Sequence, residues 1–201
     1  MEKGWCIWIT GLPGSGKSTI ADLLLKKLKS LNIHAQIVSI DMLRQYATPE
    51  PIYSEEERAV VYGALVFAAK MLTENGVNTI IDATGNRRRY RDKARKTIIC
   101  FMEVYLECPL EVCIQRETKR ENTHMAPRDI YRKAEEGEAP TVPGVSAPYE
   151  EPMNPEVKID TSKVSAEKCA QKILDATQQS FSLRPKSHNL HMYHKKDIDN
   201  G

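Results

Sequence analysis

Short apolar runs rich in β-branched and aromatic residues alternate along the chain with longer stretches of helical periodicity. Five such runs occur, at Cys6–Ile9, Ala35–Ile40, Thr79–Ile81, Phe101–Leu106 and Val157–Ile159. Continuous apolar runs of this length are typical of strands buried on both faces, and helical stretches between them favour parallel pairing. We therefore predict an α/β fold, a three-layer sandwich around a roughly five-stranded parallel sheet.

The helical stretches carry their own start and stop signals. Ser54 is followed three residues later by Glu57, which is the capping-box pattern, and Gly76 supplies the stop. The helix between them should run through the apolar positions Val61, Leu65, Ala68 and Leu72. Further helices are predicted at Lys17–Leu31, at about Arg88–Lys96, and after Thr161 and Ser162, where Val164, Cys169, Ile173 and Leu174 would face inward.

Three segments lack any apolar period. Residues 117–127 are polar and predict a mobile loop that could act as a lid, and residues 138–155 hold five prolines and predict an irregular surface segment. Beyond Phe181 the composition turns to Ser, Pro, Lys, His and Asn. We predict one domain over residues 1–181 and a disordered tail over 182–201. His188, His191 and His194 are spaced like metal ligands, but a disordered tail offers no framework of carboxylates to complete a site.

Composition narrows the class of protein. The chain has 201 residues, 41% of them hydrophobic and 28% charged, with a net charge of +2. No apolar run is long enough to span a membrane and the first residues lack a signal-peptide pattern, so a cytoplasmic protein is predicted. The five cysteines form no C-x-x-C pair and fit a reducing compartment. So small a net charge gives no argument for a nucleic-acid partner, and a small anionic nucleotide is the predicted substrate.

Residues 11–19 read GLPGSGKST and fit the phosphate-loop pattern G-x-x-x-x-G-K-[ST] without a mismatch. A strand precedes them and a helix follows, so backbone N–H groups and the positive helix end would face phosphate oxygens. Lys17 would reach the β- and γ-phosphates, and the Ser18 hydroxyl would contact Mg²⁺. ATP and Mg²⁺ are therefore the predicted cofactors. The predicted nucleotide-binding residues are Gly11, Leu12, Pro13, Gly14, Ser15, Gly16, Lys17, Ser18 and Thr19.

Two acids end apolar runs. Asp41 closes the second run and Asp82 the third, and the ends of neighbouring parallel strands converge on the ligand cleft. Either acid can hold the metal's waters, and Asp41 can also accept a proton from an attacking hydroxyl. We predict Lys17, Asp41 and Arg116 as catalytic residues, with Ser18, Asp41 and Asp82 at the metal. A loop ion pair at Asp41 and a simple strand-end turn at Asp82 are the structural alternatives.

Several polar or basic residues near these strand ends could bind an anionic substrate. Arg44 and Arg58 could neutralise phosphate or sulfate, and Arg88 and Arg91 share one face of a strongly basic helix. Arg116 and Arg128 flank the predicted lid. For each of these arginines, the structural alternative is an ordinary solvated surface residue. The predicted substrate-binding set is Asp41, Arg44, Tyr53, Arg58, Thr84, Gly85, Arg88 and Arg128.

The chain resembles the adenylylsulfate kinase family over roughly residues 4–178. The resemblance rests on Trp8–Thr19, Tyr53–Arg58, Glu103–Arg116, Ile130–Glu138 and Pro148–Pro155. It implies a P-loop nucleoside-kinase architecture, a homodimer, and transfer of the ATP γ-phosphoryl group to the 3′-hydroxyl of adenosine 5′-phosphosulfate. It also implies that Tyr53 stacks on the substrate adenine, that Arg58 meets the substrate anion, and that Arg128 takes the place of the lysine beside the lid.

Departures from the family pattern cluster on the acceptor side. Val142 stands where the family has a second stacking aromatic, Val61 where it has an asparagine, and the Ile-Ser-Pro segment is replaced by Thr84–Asn86. We therefore predict weak use of adenosine phosphosulfate, with a Michaelis constant raised about tenfold to a hundredfold.

Two further functions stay open from sequence. The Ser-Ile-Asp-x-x-Arg and Asp-Ala-Thr-Gly-Asn segments resemble polynucleotide-kinase-type enzymes, which would place the phosphoryl group on another hydroxyl of a nucleotide, a phosphorylated alcohol or a polynucleotide. A nucleotide-binding switch without catalysis is the contrasting class. The phosphate loop is complete and no guanine-recognition motif is present, which favours the kinase.

Overall fold

A computed structural model describes residues 2–121, 123–139 and 141–181. Within these ranges five parallel strands form one sheet in the order β2-β3-β1-β4-β5. The strands are β1 (Cys6–Thr10), β2 (Ala35–Ser39), β3 (Asn78–Asp82), β4 (Phe101–Glu107) and β5 (Val157–Asp160). The predicted fold class is confirmed, and each apolar run matches a strand to within one residue at either end.

Seven helices accompany the sheet in the described part of the chain. They are α1 (Lys17–Ser30), α2 (Ile40–Ala47), α3 (Glu55–Glu74), α4 (Arg88–Thr97), α5 (Leu110–Lys119), α6 (Ile130–Glu135) and α7 (Ala166–Phe181). No described helix is long and apolar enough to cross a membrane. The predicted tail over 182–201, including His188, His191 and His194, lies outside the described residues.

The sheet separates two apolar clusters because successive strand side chains point to opposite faces. Ile7 and Ile9 of β1 pack with α1 and α7 on one face. Cys6 and Trp8, one residue out of phase, pack with α3 and α4 on the other. Every residue of β1 is buried, which explains why its apolar run is unbroken and why it lies at the centre of the sheet.

Trp8 joins the second cluster to the ends of the strands. Its indole Nε1 donates to the carbonyl oxygen of Ala83 at 2.9 Å, and its ring stacks on Tyr62 with the ring centroids 6.2 Å apart. Tyr62 in turn stacks on Tyr90 at 4.4 Å and accepts a hydrogen bond from the amide of Gly85. The aromatic stack therefore supports the loop that follows β3.

Two predicted boundaries were wrong. The loop predicted at residues 117–127 begins later, because α5 continues to Lys119 and Glu117 is buried one helical turn beyond Cys113. Arg120 pairs with the Glu117 carboxylate at 3.1 Å, and this ion pair explains why an acidic residue can be buried here although the apolar pattern did not predict it. Ile40 was predicted to end a strand, but Ser39 caps a helix there: its hydroxyl accepts from the amides of Asp41 and Met42.

A buried ion pair connects α4 to the sheet. Arg91 is completely buried, and its Nε donates to the Glu103 carboxylate of β4 at 2.6 Å. Its other guanidinium nitrogens donate to the carbonyl oxygens of Gly85 and Glu150. Arg91 was predicted to face a substrate; instead, it joins β4, the loop after β3 and the proline-rich segment.

We expect Arg91→Met to lower the free energy of unfolding by about 3–5 kcal/mol, because it leaves two carbonyls without their partner and the buried Glu103 carboxylate with only the longer contact to Arg95, at 3.3 Å. Arg89→Met is the matched control, since Arg89 is 58% exposed and its ion pair with Glu55 should contribute under about 1 kcal/mol. Urea denaturation of both variants measures the difference. Equal losses in the two would contradict a structural role for Arg91.

Candidate active site

A cleft of about 700 Å³ opens at the carboxyl ends of β1, β2 and β3. The strand order places β3 between β1 and β2, and the register aligns Asp82 with Ile9 on one side and with Ser39 on the other. The phosphate loop after β1, Asp82 at the end of β3, and Asp41 just after β2 therefore follow one another along the same edge of the sheet.

The phosphate loop leads from β1 into α1. Gly14 and Gly16 have φ of 81° and 97°, and a side chain at Gly14 would lie 2.4 Å from the carbonyl oxygen of Cys113. Only glycine fits there, because both the backbone conformation and the contact with α5 exclude a β-carbon. Six of the nine predicted loop residues line the cleft: Pro13, Gly14, Gly16, Lys17, Ser18 and Thr19. The other three, Gly11, Leu12 and Ser15, do not line it.

Lys17 lies among charges at the centre of the cleft. Its Nζ donates to the carbonyl oxygen of Leu12 at 3.0 Å. Burial lowers the pKa of this ammonium, while the charges of Asp82 and Asp41 act in the opposite direction. The lysine therefore stands close to both predicted acids, where incoming phosphate oxygens would replace a carbonyl as its partner.

The two acids differ in their surroundings. Burial raises the pKa of Asp82 above its usual range, while the charge of Lys17 and then the Ser18 hydroxyl act in the opposite direction. Burial and then the charge of Asp82 raise the pKa of Asp41, while Lys17 and Arg44 lower it. Asp82 is thus tied to the phosphate loop, and Asp41 lies toward the opposite wall.

The donor set fits Mg²⁺. One hydroxyl and two carboxylates converge, and no cluster of three or more His, Cys, Asp or Glu side chains that could hold a metal occurs among the described residues. Mg²⁺ is usually bound by one or two carboxylates together with nucleotide phosphates, rather than by a cage of protein ligands. Ser18, Asp82 and Asp41 are therefore suited to a metal that arrives with ATP.

The wall opposite the phosphate loop carries Tyr53 and Arg58. Arg58 is buried, and its guanidinium donates to the carbonyl oxygen of Tyr53 at 3.1 Å and to that of Thr141 at 2.7 Å. Arg58 also lies near the Tyr53 ring, 5.6 Å from its centroid. Both side chains line the cleft. This wall can therefore offer one aromatic face and one cation to a flat anionic ligand.

Several predicted substrate residues lie elsewhere. Arg44 does not line the cleft: it forms an ion pair with Glu57 and covers the Tyr53 ring at 4.6 Å. Thr84 lines the cleft, whereas Gly85 is turned away by its bonds to Tyr62 and Arg91. Arg88 donates to the Glu151 carbonyl, outside the cleft. Arg88 and Arg91 of α4 thus donate hydrogen bonds to the proline-rich segment instead of facing the cleft.

The predicted lid brings some of its cations to the cleft. Arg116 lines it at the β5 end, where its guanidinium donates to the carbonyl oxygen of Thr161 at 2.8 Å. Arg128 is exposed and points away, toward the carbonyl of Glu121. The structure also places Arg120, His124 and Lys133 along the cleft, and these were not predicted. The only sequence signal for them is their position in or just after the aperiodic segment.

The two valines that depart from the family pattern have different places. Val142 lines the cleft and also packs against Cys113 and Tyr131 in a small apolar cluster beneath α5 and α6. Val61 is fully buried in the cluster under α3 and does not line the cleft. Of these two valines, only Val142 therefore changes the surface that a ligand would meet.

Comparisons with known proteins agree with this geometry. A family model described as adenylylsulphate kinase matches residues 3–160. A probable adenylyl-sulfate kinase of Pyrococcus abyssi is 38% identical over 86% of this chain and 94% of its own length. A probable adenylyl-sulfate kinase of Archaeoglobus fulgidus is 41% identical over 78% of this chain and 96% of its own.

A solved structure shares the architecture. The Mycobacterium tuberculosis APS kinase CysC, in complex with AMPPNP and APS, superposes with a TM-score of 0.79 at 30% identity. The match covers 89% of this chain and 99% of that one. The similarity therefore extends over the sheet, the phosphate loop and the proline-rich segment together.

Proposed function

Because the chain belongs to the adenylyl-sulfate kinase family, we propose that it transfers the γ-phosphoryl group of ATP to the ribose 3′-hydroxyl of adenosine 5′-phosphosulfate. The observation that carries this proposal is a single cleft with the Lys17 phosphate loop on one side and Tyr53 with Arg58 on the other. One side suits a triphosphate, and the other suits an acceptor with a flat ring and negative charge. The two acids lie between them.

The residues can divide the reaction as follows. Lys17 stabilises the negative charge that builds on the transferring phosphoryl oxygens. Asp41, on the acceptor side, accepts the proton of the attacking hydroxyl, and its raised pKa makes it a stronger base than an ordinary aspartate. Ser18 and Asp82 would hold Mg²⁺, which when bound neutralises phosphate charge. Tyr53 stacks on the acceptor base and Arg58 pairs with its anionic group.

The test is a steady-state assay of ADP release with adenosine phosphosulfate, other nucleotides, and oligonucleotides with a 5′-hydroxyl as acceptors. We expect adenosine phosphosulfate to be phosphorylated, with a Michaelis constant about tenfold or more above that of a site with two aromatics, because Val142 offers no ring. A preference for oligonucleotides would favour a polynucleotide-kinase-type enzyme. No turnover with any acceptor would leave only nucleotide binding.

A restored aromatic sharpens this test. Val142→Phe should lower the Michaelis constant for adenosine phosphosulfate about tenfold, because position 142 lines the cleft. Val145→Phe is the control, since Val145 is exposed in the turn at residues 144–146 and does not line that cleft. If both variants behave like the wild type, position 142 does not stack on the acceptor.

We also infer that the protein is a homodimer, formed through the outer face of α3. Val60, Phe67 and Met71 on that face are 70%, 63% and 42% exposed, although each is apolar. Exposed Ala64 and half-buried Gly63 lie between them, so another helix could approach closely. An apolar stripe of this kind is typical of an interface.

The stripe is complementary to itself about a two-fold axis. With Gly63 and Ala64 at the axis, Val60 of one copy faces Phe67 of the other when the helices run antiparallel. The same register places Glu56 of one copy opposite Met71 of the other and one residue from Lys70, so the rim charges are opposite. This self-complementarity supports a second copy of the chain as the partner.

Phe67→Glu should convert the dimer to a monomer, which sedimentation velocity measures directly. Met153→Glu is the control, because Met153 is 71% exposed but lies far from α3 in sequence and outside any helix. Glu56→Lys should weaken the dimer, and adding Lys70→Glu should restore it. A wild-type monomer, or a dimer indifferent to Phe67→Glu, would contradict the proposed interface.

A cytoplasmic location is proposed as well. All five cysteines are free, and four of them are buried, which supports a reducing compartment.

A further inference from the structure

Behind the acceptor wall lies an ion pair that does not itself face the cleft. Arg44 and Glu57 have side chains only 8% and 11% exposed, and the Glu57 carboxylate accepts a hydrogen bond from Arg44 Nη1. Neither residue lines the cleft. The pair can therefore influence the cleft only through the residues that it contacts.

The Glu57 carboxylate holds the two residues before the wall. Its Oε2 accepts from the amide of Ile52 at 2.6 Å and from the amide of Tyr53 at 3.1 Å. In the usual capping box this glutamate would reach back to the amide of the capping residue, here Ser54. Glu57 instead reaches further back along the chain, so the cap of α3 fixes the backbone that carries Tyr53.

Tyr53 needs such support. Its φ is 55°, in the left-handed region, which is unfavourable for a bulky aromatic residue. Beyond the Glu57 contact, its carbonyl oxygen accepts from Arg58 and the Arg44 guanidinium lies 4.6 Å from its ring centroid. Several independent contacts therefore hold one conformation that the isolated chain would avoid.

We propose that Glu57 is a positioning residue for the acceptor: with Arg44, it holds Tyr53 in its left-handed conformation, so that the tyrosine ring is already in place when the acceptor binds. This inference rests on the proposed function only in taking adenosine phosphosulfate as the acceptor. Preorganisation of this kind improves binding because the ligand does not have to order the wall itself. ATP binds at the phosphate loop that leads into α1, so its binding should not depend on the conformation of Tyr53.

Substitution of Glu57 should change the Michaelis constant for the acceptor and leave the other kinetic constants nearly unchanged. Glu57→Gln keeps the size of the side chain but removes the charge that holds Arg44. We expect the Michaelis constant for adenosine phosphosulfate to rise about tenfold or more, with kcat and the Michaelis constant for ATP within about twofold of the wild type. Glu55→Gln is the matched control, because Glu55 lies in the same first turn and pairs with Arg87 and Arg89 rather than with the Tyr53 segment.

A double-mutant cycle identifies the shared path. If Glu57 and Arg44 act through the same contact, Glu57→Gln and Arg44→Gln together should raise the acceptor constant no more than the larger single change. Additive effects would overturn the claim that they act together. An unchanged acceptor constant in Glu57→Gln, in an enzyme that phosphorylates adenosine phosphosulfate, would overturn the proposal itself.

Amide hydrogen exchange provides a readout that needs no substrate. In the wild type the Tyr53 amide should exchange slowly, and in Glu57→Gln at least fivefold faster, with the Glu55→Gln variant unchanged. Should the wild type fail to phosphorylate adenosine phosphosulfate, the proposed function falls, and this exchange still decides the role of Glu57. Equal exchange of Tyr53 in all three proteins would refute it.

Discussion

Lys17→Ala should lower turnover by at least about 10²-fold while leaving the fold intact. The physical reason is the position of the ammonium: it lies on the phosphate loop within the field of Asp41 and Asp82, where charge on the transferring phosphoryl group must be met. The lysine contributes one hydrogen bond, to the carbonyl of Leu12, and no apolar packing to either main cluster. Loss of the lysine should therefore lower turnover without lowering the stability of the core.

Steady-state kinetics and a circular-dichroism melt measure these two quantities separately. Lys26→Ala is the control, because Lys26 is an exposed lysine on the same helix, α1, and does not line the cleft. A Lys17→Ala protein that keeps a tenth of the wild-type turnover would remove this loop from catalysis. A melt shifted as far as that of a core variant would mean that the lysine is structural.

Asp41→Asn should also lower turnover by about 10²-fold or more, with little change in the Michaelis constant for ATP. A general base acts mainly on the transition state, and asparagine cannot accept the hydroxyl proton. Because burial raises the pKa of Asp41, the acid limb of kcat should lie above the pH at which an ordinary aspartate titrates. Activity is lost as pH falls through that pKa, and Asp41→Asn should abolish this limb.

Asp82→Asn provides the contrast within the same site. Asp82 interacts with Lys17 and Ser18 of the phosphate loop, so its loss should raise the Mg²⁺ and ATP concentrations needed for half-maximal rate more than it lowers kcat at saturation. Titration of Mg²⁺ at several ATP concentrations separates the two variants. If Asp82→Asn loses turnover at saturation and Asp41→Asn shifts the Mg²⁺ requirement, the two roles are exchanged.

The strands could be predicted because their information is local. The three central strands, β3, β1 and β4, are buried over most of their length, so their runs stay largely apolar and little along the chain obscures the signal. The phosphate loop is equally local, since its glycines and lysine lie within nine residues. The nucleotide half of the cleft is therefore predictable from the sequence alone.

The acceptor half depends on partners distant in sequence. Arg44 was expected to bind a substrate, but Glu57, thirteen residues later, takes it as an ion-pair partner. Arg91 was expected on a ligand face, but Glu103 and the proline-rich segment bury it. A basic residue looks alike on a solvated surface, in a buried pair and beside a ligand. Only the neighbours of the residue in three dimensions distinguish these environments, and the periodicity of the sequence does not reveal those neighbours.

The stack of Trp8 on Tyr62 makes the molecule its own optical reporter. The chain has two tryptophans: Trp5 stacks on Phe181, whereas Trp8 contacts Tyr62, which lines the cleft, and the loop after β3. A ligand that moves that loop alters the surroundings of the Trp8 indole and not those of Trp5. With Trp5 replaced by phenylalanine, emission intensity would follow occupancy of the cleft without any attached dye.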